Sequence, residues 1–425
     1  MFHESTPYVG GSPRDTPLSV PDFCVQVPPM SEPRIVTPRA PTTAPTEAAV
    51  AVGTLEDFEM DPLLDVGTAM WAVVFAGGIG TRFWPLSTPQ RPKQLLPLVN
   101  ERPLIADTVA RLSPLVPAER VLIVTSADIV DALHEAIPEV PRGNMLVEPR
   151  PLGTAAALAW GAHEVARRAG PDTVFVALHA DLAVGYPDVL RDTLRRAAAL
   201  AANEPQLVAL GATPTRPETG FGYLQPAALV DPFVSRAEGG ACHVEHFVEK
   251  PTATLADVLI EKGALWNTGI FVWRARVVLE ELKQHTGELQ HAWTKLEQGE
   301  MTTFAELVTS VSIDRGLLER TRRLVVLPAD FAWDDVGTWA SLRRVRELDD
   351  FGNGVMGQAH CIDCTGNVIH ADGTCVVAYG ISGMIVVSLA GLTFVTTQER
   401  ATELAPLLNA LPGSLRSNPG GPPIG

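Results

Sequence analysis

Cationic side chains follow a glycine-rich turn near residue 80. The stretch WAVVFAGGIGTRFWPLSTPQRPKQ, residues 71–94, runs from an apolar segment through three glycines to Arg82 and Lys93. Glycines let the backbone approach a ligand closely and point N–H groups at phosphate oxygens. Arginine can bind two such oxygens at once, and lysine adds a point charge. The stretch therefore predicts a phosphate site, which we interpret as a site for a nucleoside triphosphate.

This loop has three other interpretations. A dinucleotide-binding loop needs a third glycine, but Phe83 follows soon after Gly80 instead. The phosphate loop of many ATPases needs four residues between two glycines and then a lysine, and that spacing is missing too. An ordinary strand-to-helix turn with surface cations stays open on the loop alone.

Two aspartates follow apolar, strand-like segments. Asp181 comes directly after residues 174–178, and Asp335 follows the segment FAWD. A carboxylate at the end of a strand can hold a hard cation such as Mg²⁺. In a sheet built from strand–helix units both loops can emerge at the same ligand-binding edge. The alternative for Asp335 is to cap a helix that starts near Trp339. Thr154, which precedes an alanine-rich helical segment, is a similar candidate for helix capping.

A second group of polar residues suits a sugar phosphate. FVEKP, residues 247–251, places Glu249 beside Lys250, and both can reach one ligand only if the strand ends or bends there. Pro251 is predicted to supply that break. Asn267 in WNTGIF offers a donor and an acceptor together, which suits hydroxyl groups. In ETGFGYL, residues 218–224, the glycines can bring backbone near a sugar and Glu218 can accept hydrogen bonds from hydroxyl groups. The alternatives are an exposed ion pair for FVEKP and a glycine-containing hairpin for ETGFGYL.

The elements that must position these residues alternate between strand and helix patterns. We predict strands at residues 71–76, 121–125, 145–147, 173–178 and 207–210, and helices at residues 104–112, 127–137, 155–168 and 190–202. Such repetition predicts an α/β fold with a mostly parallel open sheet and helices on both faces. The Gly- and Val-rich stretch after residue 350 favours several short strands and a final helix near residues 399–411.

Composition divides the chain into four predicted parts. Residues 1–69 are rich in proline without a sustained period, so we predict a disordered segment. A Rossmann-like catalytic domain is predicted at residues 70–348 and a small β-rich domain at residues 349–412. A flexible tail is predicted at residues 413–425.

Charge and composition exclude several classes of protein. The net charge of −16 argues against non-specific nucleic-acid binding. No apolar stretch approaches the roughly 20 residues that span a bilayer, and the N-terminus does not resemble a secretory signal. Five cysteines form no disulfide framework, so we expect a cytoplasmic protein. The CxxC pair Cys361 and Cys364 is a weak signal for zinc or redox chemistry against a chance occurrence.

The motifs together resemble the signature of sugar nucleotidyltransferases over residues 70 to about 412. AGGIGTRFWPLS with PKQ is similar to the branch that acts on mannose 1-phosphate, and EPRPLGTA, HADL, ETGFGYL, FVEKP, WNTGIF and WDDVGTW follow in the family's order. The chain departs from the pattern at two of these motifs. Gly153 replaces an asparagine and Ala156 a proline beside the base, while His179 and Leu182 flank Asp181 where the family has P-A-D-H. We interpret His179 as structural and not as a ligand.

The resemblance implies roles for named residues. It implies a nucleotide site at Ala76, Gly77, Gly78, Gly80, Thr81, Arg82, Lys93, Glu148 and Thr154. It implies a sugar-phosphate site at Glu218, Gly222, Glu249, Lys250 and Asn267, catalytic cations at Arg82, Lys93 and Lys250, and a metal site at Asp181 and Asp335. By the same register Asp334 is not a metal ligand.

The implied reaction joins GTP and α-D-mannose 1-phosphate to give GDP-mannose and pyrophosphate, with Mg²⁺ as cofactor and a homodimer as a possible assembly. Three alternatives stay open from the sequence. The same chemistry could use another sugar phosphate or base, the protein could be a non-catalytic nucleotide-sugar sensor, or it could be a scaffold. A sensor is expected to lack the metal aspartates or the loop lysine, yet Asp181, Asp335 and Lys93 are all present.

Overall fold

The structure of the chain is a computed structural model that describes residues 70–78, 80–230, 240–417 and 419. The segment predicted to be disordered, residues 1–69, lies outside the described residues. Within the predicted tail, Gly413–Ser417 forms a short helix. The predicted domain boundary between residues 348 and 349 stays a prediction.

Eleven strands precede residue 349 in the described chain. They are β1 Trp71–Phe75, β2 Val121–Ser126, β3 Met145–Glu148, β4 Val174–His179, β5 Ala183–Val184, β6 Leu207–Ala212, β7 Gly222–Leu229, β8 Cys242–Glu249, β9 Leu265–Arg274, β10 Leu324–Pro328 and β11 Trp333–Asp334. Nine of them form one sheet in the order β3-β2-β1-β4-β9-β6-β10-β8-β7.

The sheet is mixed, so the prediction of a mostly parallel sheet is not confirmed. Strands β3, β2, β1 and β4 pair in parallel, and so do β6 and β10. Strand β9, however, lies antiparallel between β4 and β6, and β8 pairs antiparallel with β10 and β7. Strand β9 is not among the predicted strands, because Asn267, Thr268 and Gly269 interrupt its apolar residues.

Helices cover both faces of the sheet, as predicted. The described α-helices are α1 Leu104–Leu112, α2 Val130–Ala136, α3 Thr154–Ala169, α4 Pro187–Asn203, α5 Ala253–Glu261, α6 Ala275–His285, α7 Gly287–Gln290, α8 Trp293–Glu297, α9 Met301–Leu307, α10 Leu342–Val345, α11 Ala405–Ala410 and α12 Gly413–Ser417. Helices α1, α2 and α4 bury apolar side chains on one face, and α3 and α6 do so on the other. Burial of these two layers is the main stabilising term for such a fold.

A two-stranded sheet of β5 and β11 lies at the carboxyl end of β4. Trp333 pairs with Val184 and Asp334 pairs with Ala183 in antiparallel register. Because Asp181 lies just before β5 and Asp335 just after β11, this short pairing brings the two aspartates to one place.

The β-rich C-terminal region has four strands: β12 Gly354–Ile362, β13 Val368–Tyr379, β14 Met384–Leu389 and β15 Leu392–Thr397. The pairs β12–β13 and β13–β14 are parallel, and β14–β15 is antiparallel. The predicted strands are thus present, while the last predicted helix is shorter than expected, as α11.

This C-terminal sheet packs directly on the loop that follows β1. Phe83, Trp84 and Leu86 share one buried cluster with side chains of the sheet, among them Ile385 and Phe394. Trp339 Nε1 also donates a hydrogen bond to the carbonyl oxygen of Trp84 at 3.0 Å. The loop is therefore held from the C-terminal side of the chain.

Among the helices described, none is long and apolar enough to cross a lipid bilayer.

Candidate active site

The larger of two neighbouring cavities opens at the carboxyl ends of β1 and β4. It has a volume of about 450 Å³. Its lining residues come from the loop after β1, the ends of β4 and β8, the turn that leads into β7, the start of β9, the turn at Asp314, and β11 with the segment after it. They are Gly80, Thr81, Arg82, Phe83, Lys93, His179, Asp181, Leu182, Gly220, Phe221, Gly222, Glu249, Asn267, Thr268, Gly269, Asp314, Trp333, Asp335 and Gly337.

The smaller cavity, of about 290 Å³, lies on the other side of the same loop. It is lined by Phe75, Gly77, Gly78, Val124, Glu148, Pro151, Leu152, Gly153, Thr154, Ala157 and His179. The loop after β1 thus borders the smaller cavity with Gly77 and Gly78 and the larger one from Gly80 onward.

Lys93 joins the two metal-site candidates. Its Nζ donates hydrogen bonds to Asp181 Oδ2 and to the backbone carbonyl oxygen of Asp335, both at 2.8 Å. The lysine side chain is only 10% exposed, and Phe83 lies beneath the ammonium group at 5.9 Å from the ring centroid. Asp181 Oδ2 and the carbonyl oxygen of Asp335 are each 2.8 Å from the same nitrogen, so the two oxygens lie close together on the wall of the larger cavity.

Asp335 and its neighbour Asp334 occupy different environments. Asp334 is buried and accepts hydrogen bonds from Arg344 Nε at 2.6 Å and from the N–H of Val336 at 2.9 Å. Asp335 lines the cavity, and its Oδ1 accepts a hydrogen bond from the N–H of Gly337 at 3.2 Å. A Cβ at Gly337 would lie 2.7 Å from Asp335 Oδ2, so glycine leaves this carboxylate room.

Asp335 does not cap the helical turn at Trp339, which corrects that alternative. Thr338 is the N-cap there and forms a capping box with Ser341.

The pKa values of Asp181 and Asp335 shift in opposite directions. Burial would raise the pKa of Asp181, but the positive charge of Lys93 and its hydrogen bond outweigh burial and lower that pKa. Burial, followed by the neighbouring charge of Asp334, raises the pKa of Asp335 to about 6. Asp181 is thus held ionised, whereas the charged form of Asp335 is disfavoured. A bound cation would stabilise the charged form of Asp335 beside Asp181.

These donors fit a divalent cation that completes its shell with phosphate oxygens. Mg²⁺ is commonly held by one or two carboxylates together with substrate phosphates. Within the described chain no group of three or more His, Cys, Asp or Glu side chains is arranged to hold a metal by itself. Asp181 and Asp335 therefore suit a metal that arrives with a phosphorylated ligand rather than a structural metal.

The sugar-side residues meet at the end of β8. Glu249 lines the larger cavity, and the strand ends there because Lys250 takes a left-handed backbone with φ 51. The break predicted at Pro251 thus lies one residue earlier. Lys250 Nζ turns back to form an ion pair with Glu249 Oε1, while its side chain stays 63% exposed. Gly222 faces this carboxylate, and a Cβ there would lie 2.9 Å from Glu249 Oε2.

Asn267 lies at the start of β9 and contacts an acidic residue that the sequence did not single out. Its Nδ2 donates to Asp314 Oδ1 at 3.3 Å, and its Oδ1 accepts from the N–H of Gly269 at 3.2 Å. Asp314 begins a π-helical turn and lines the larger cavity. Burial and then the charge of Glu249 raise the pKa of Asp314. No motif marked this residue, because a lone aspartate is usually a turn or cap.

Glu218 does not line the larger cavity. Its carboxylate pairs with Arg216, whose Nε lies 3.1 Å from Oε2, and accepts from the N–H of Gly220. Arg216 in turn stacks over Trp266, with Cζ 5.0 Å from the ring centroid. Glu218 therefore braces the Gly220–Gly222 turn in this structure.

The smaller cavity holds Glu148 and Thr154. Glu148 Oε1 accepts from the N–H of Leu152 at 3.4 Å, and burial raises the pKa of Glu148 to about 7. Thr154 does not cap α3 with its side chain, which corrects that expectation. The N-cap is Gly153, and Thr154 Oγ1 accepts from the N–H of Ile313 at 2.8 Å.

Gly153 has a packing reason to be glycine. Its φ is +85, and a Cβ there would lie 2.6 Å from Ser310 Oγ and 2.7 Å from the carbonyl oxygen of Val311. The asparagine usual at this position in the family would not fit without movement of that segment.

The remaining predicted nucleotide residues fall along the loop. Thr81 and Arg82 line the larger cavity with exposed side chains, and no ion-pair partner of Arg82 is found in the described part of the chain. Ala76 lines neither cavity; its carbonyl oxygen accepts from Gln94 Nε2 at 3.0 Å and from Thr125 Oγ1. Ala76 thus anchors the loop instead of facing a ligand.

Sequence reasoning missed several cavity residues and assigned a structural place to another. Trp333 and Phe221 line the larger cavity within an aromatic cluster, their ring centroids 5.1 Å apart. His179, interpreted as structural, lines both cavities. Cys361 and Cys364 lie in the C-terminal sheet region as free cysteines.

Comparison with known proteins agrees with this geometry. The Nucleotidyl transferase family model matches residues 71–350. Mannose-1-phosphate guanylyltransferase 2 of Escherichia coli O157:H7 is 31% identical over 356 residues, covering 80% of this chain and 73% of that protein. Xanthan biosynthesis protein XanB of Xanthomonas campestris pv. campestris (strain B100) is 33% identical over 359 residues, covering 81% of this chain and 74% of that one.

A solved structure is similar over a comparable share of the chain. The crystal structure from Thermus thermophilus described as a mannose-1-phosphate geranyltransferase superposes with a TM-score of 0.72 at 34% identity. The match covers 80% of this chain and 98% of that one.

Proposed function

The chain belongs to the nucleotidyl transferase family, and from that premise we propose that the protein joins GTP and α-D-mannose 1-phosphate into GDP-mannose with release of pyrophosphate. The observation that carries the proposal is the position of Lys93 between Asp181 and Asp335, on a cavity that the phosphate-type loop also borders. The relatives named for mannose 1-phosphate support the choice of sugar and base.

GTP is proposed to lie along the loop after β1. The guanine would occupy the smaller cavity beside Glu148, whose carboxylate can accept N–H groups, with Thr154 behind it. The phosphates would continue past Gly80 and Thr81 into the larger cavity, where Arg82 and Lys93 offset their charge.

Mannose 1-phosphate is proposed to enter the larger cavity from the side of β8 and β9. Glu249, Asp314 and Asn267 offer acceptors and a donor for sugar hydroxyls. Lys250, exposed and next to Glu249, would swing from its ion pair to the sugar phosphate. Gly222, paired in register with Glu249, leaves room for that carboxylate. Glu218 supports this turn by accepting a hydrogen bond from the N–H of Gly220.

The chemistry needs no protein nucleophile. An anionic oxygen of mannose 1-phosphate attacks the α-phosphorus of GTP, and the bond from that phosphorus to the bridging oxygen of the β-phosphate breaks. The electron pair leaves with pyrophosphate, so no proton transfer is required. The obstacle is repulsion between two anions, which Arg82, Lys93 and Lys250 would reduce by holding both in line.

Enzymes of this family generally use a divalent metal, and we propose Mg²⁺ here. Asp181 and Asp335 would hold it, and it would act as a Lewis acid that stabilises charge on the phosphoryl oxygens. Lys93 would keep Asp181 ionised and close to Asp335 for that purpose.

A pyrophosphate-release assay tests the proposal. Purified protein is offered GTP, ATP, CTP or UTP with mannose, glucose or N-acetylglucosamine 1-phosphate, and product is identified by mass. We expect GTP with mannose 1-phosphate to give the highest kcat/KM. A preference for another pair would support the alternative of the same chemistry on another substrate, and nucleotide-sugar binding without turnover would support a sensor.

Three further expectations stay predictions. They are a cytoplasmic location, the absence of nucleic-acid binding, and a homodimer. Sedimentation of the purified protein, alone and with duplex DNA, checks the last two.

A further inference from the structure

His179 is the one described residue that lines both cavities. It is the last residue of β4 and is paired in register with Phe75 at the end of β1. The loop after β1 borders the smaller cavity with Gly77 and Gly78 and the larger cavity from Gly80 onward. Any ligand that occupies both cavities must therefore pass the imidazole.

Phe75 and Gly269 lie on two sides of the ring. Phe75 packs against it with ring centroids 5.6 Å apart at an angle of 53°. Gly269, with φ +69, leaves space on the other side, since a Cβ there would lie 3.3 Å from His179 Cδ2. The Cδ2–Nε2 edge thus faces Gly269, which lines the larger cavity. In the described chain neither ring nitrogen of His179 has a hydrogen-bond partner.

We propose that His179 donates a hydrogen bond to an oxygen of the nucleotide's α-phosphate. This inference rests on the proposed function and deepens it. With the base in the smaller cavity and the β- and γ-phosphates beside Arg82 and Lys93, the α-phosphate lies at the crossing between the cavities. An imidazole carries at least one N–H in either protonation state, and a hydrogen bond to a charged oxygen is stronger than one to a neutral group.

The chemistry of the α-phosphorus gives this contact a catalytic use. The α-phosphate takes part in both the bond that forms and the bond that breaks, and its non-bridging oxygens carry charge throughout. A donor already fixed by Phe75 holds that group without reorganising. The proline usual in the family at this position has no N–H in its side chain, so the contact belongs to this chain.

Equilibrium binding tests the contact without turnover. GMP contains the base, the ribose and the α-phosphate, whereas guanosine lacks the phosphate. For His179→Leu we expect GMP to bind roughly tenfold or more weakly, because a hydrogen bond to a charged group is lost. Guanosine affinity should stay within about twofold. His179→Gln, which keeps an N–H donor, should recover part of the GMP affinity.

Controls separate this contact from packing. His291→Leu changes an exposed histidine between α7 and α8 that lines neither cavity, and it should bind both ligands normally. Thermal melting of each variant shows that the fold is kept. With saturating GTP and mannose 1-phosphate, kcat should fall roughly tenfold for His179→Leu and less for His179→Gln.

Three results would overturn the inference: equal weakening of GMP and guanosine, no change in either affinity, or equal damage from leucine and glutamine. The proposed function fails in a different way. Wild-type protein that binds GMP through His179 yet forms no GDP-mannose would overturn the reaction while the contact stands.

Discussion

The ammonium group of Lys93 lies 2.8 Å from Asp181 Oδ2, although 88 residues separate the two in the sequence. The same nitrogen reaches the carbonyl oxygen of Asp335. Lys93 is thus more than a surface cation for phosphate: it fixes two chain segments at the mouth of the larger cavity. Removing one partner would leave a buried charge without compensation, which is destabilising.

Lys93→Met keeps the length of the side chain and removes the charge. We expect kcat to fall by about two to three orders of magnitude, because the reacting phosphates lose a charged donor and Asp181 loses its partner. Pyrophosphate release at saturating substrates measures the effect. Lys295→Met, which breaks a surface ion pair with Glu300, is the matched control and should leave kcat unchanged. Near-normal turnover of Lys93→Met would contradict the proposed site.

Asp335→Asn and Asp334→Asn should have opposite signatures. Asp335→Asn is expected to reduce kcat by at least about a hundredfold with little loss of melting temperature, since its carboxylate faces the cavity. Asp334→Asn should keep most of kcat but lose about 1–3 kcal/mol of stability, because Arg344 loses a charged partner. Kinetics and thermal melting of both variants decide it. Severe kinetic damage from Asp334→Asn with a silent Asp335→Asn would reverse the assignment.

The local elements were predictable from the sequence because their signals are local. Helix α1 spans the predicted residues 104–112, and the first strands begin within one residue of their predicted starts. Apolar periodicity and flanking turn residues carry that information. The antiparallel strand β9 was not predicted, since the polar residues Asn267 and Thr268 interrupt its apolar pattern.

Charged residues of the site could be predicted from the sequence only where they belong to a recognisable motif. Asp181 and Asp335 were singled out, and both line the larger cavity. Asp314 was not, because its neighbours Glu249 and Asn267 come from distant strands. Glu218 was expected at the sugar, yet Arg216 two residues earlier occupies its carboxylate. Such pairing depends on side-chain geometry that no spacing rule expresses.

Glu148 should make stability depend on pH. Burial raises the pKa of its carboxyl from 4.5 to about 7, so the folded protein retains a proton that the unfolded chain loses. The penalty for charging Glu148 is therefore absent below pH 4.5 and complete above pH 7. Glu148→Gln should raise the free energy of unfolding by about 1–3 kcal/mol at pH 8 and leave it unchanged at pH 4. Glu135→Gln, an exposed change on α2, is the control.

Denaturant titrations at the two pH values check this prediction. An equal gain at pH 4 and pH 8 would show that the effect comes from packing and not from the charge.

Gly222→Ala should impair only the sugar side of the site. The added Cβ would lie 2.8 Å from Phe247 Cζ and 2.9 Å from Glu249 Oε2, so Glu249 must move. We expect KM for mannose 1-phosphate to rise roughly tenfold, equivalent to about 1.4 kcal/mol, with KM for GTP unchanged. Gly287→Ala, where a Cβ meets nothing within 4 Å, is the control. A selective rise in KM for GTP would place the sugar elsewhere.

Trp339→Phe should show that the C-terminal region holds the nucleotide loop. Trp339 Nε1 donates to the carbonyl oxygen of Trp84 at 3.0 Å, and its ring packs on Phe83 and His370 with centroids 5.3 and 5.8 Å away. Phenylalanine keeps an aromatic ring but leaves that buried carbonyl without its donor, at a cost of about 1 kcal/mol. Because Arg82 lies between Thr81 and Phe83 in this loop, a less fixed loop should raise KM for GTP and leave KM for mannose 1-phosphate unchanged.

Trp293→Phe supplies the matched control for that experiment. It also removes an indole donor, here to Glu297 Oε1 at 2.9 Å, but within α8 and away from both cavities. Both variants should lose a similar amount of stability in thermal melts, so a difference in KM for GTP between them isolates the loop. Equal KM values would mean that the loop keeps its position through the packing of Phe83, Trp84 and Phe394 alone, without the hydrogen bond.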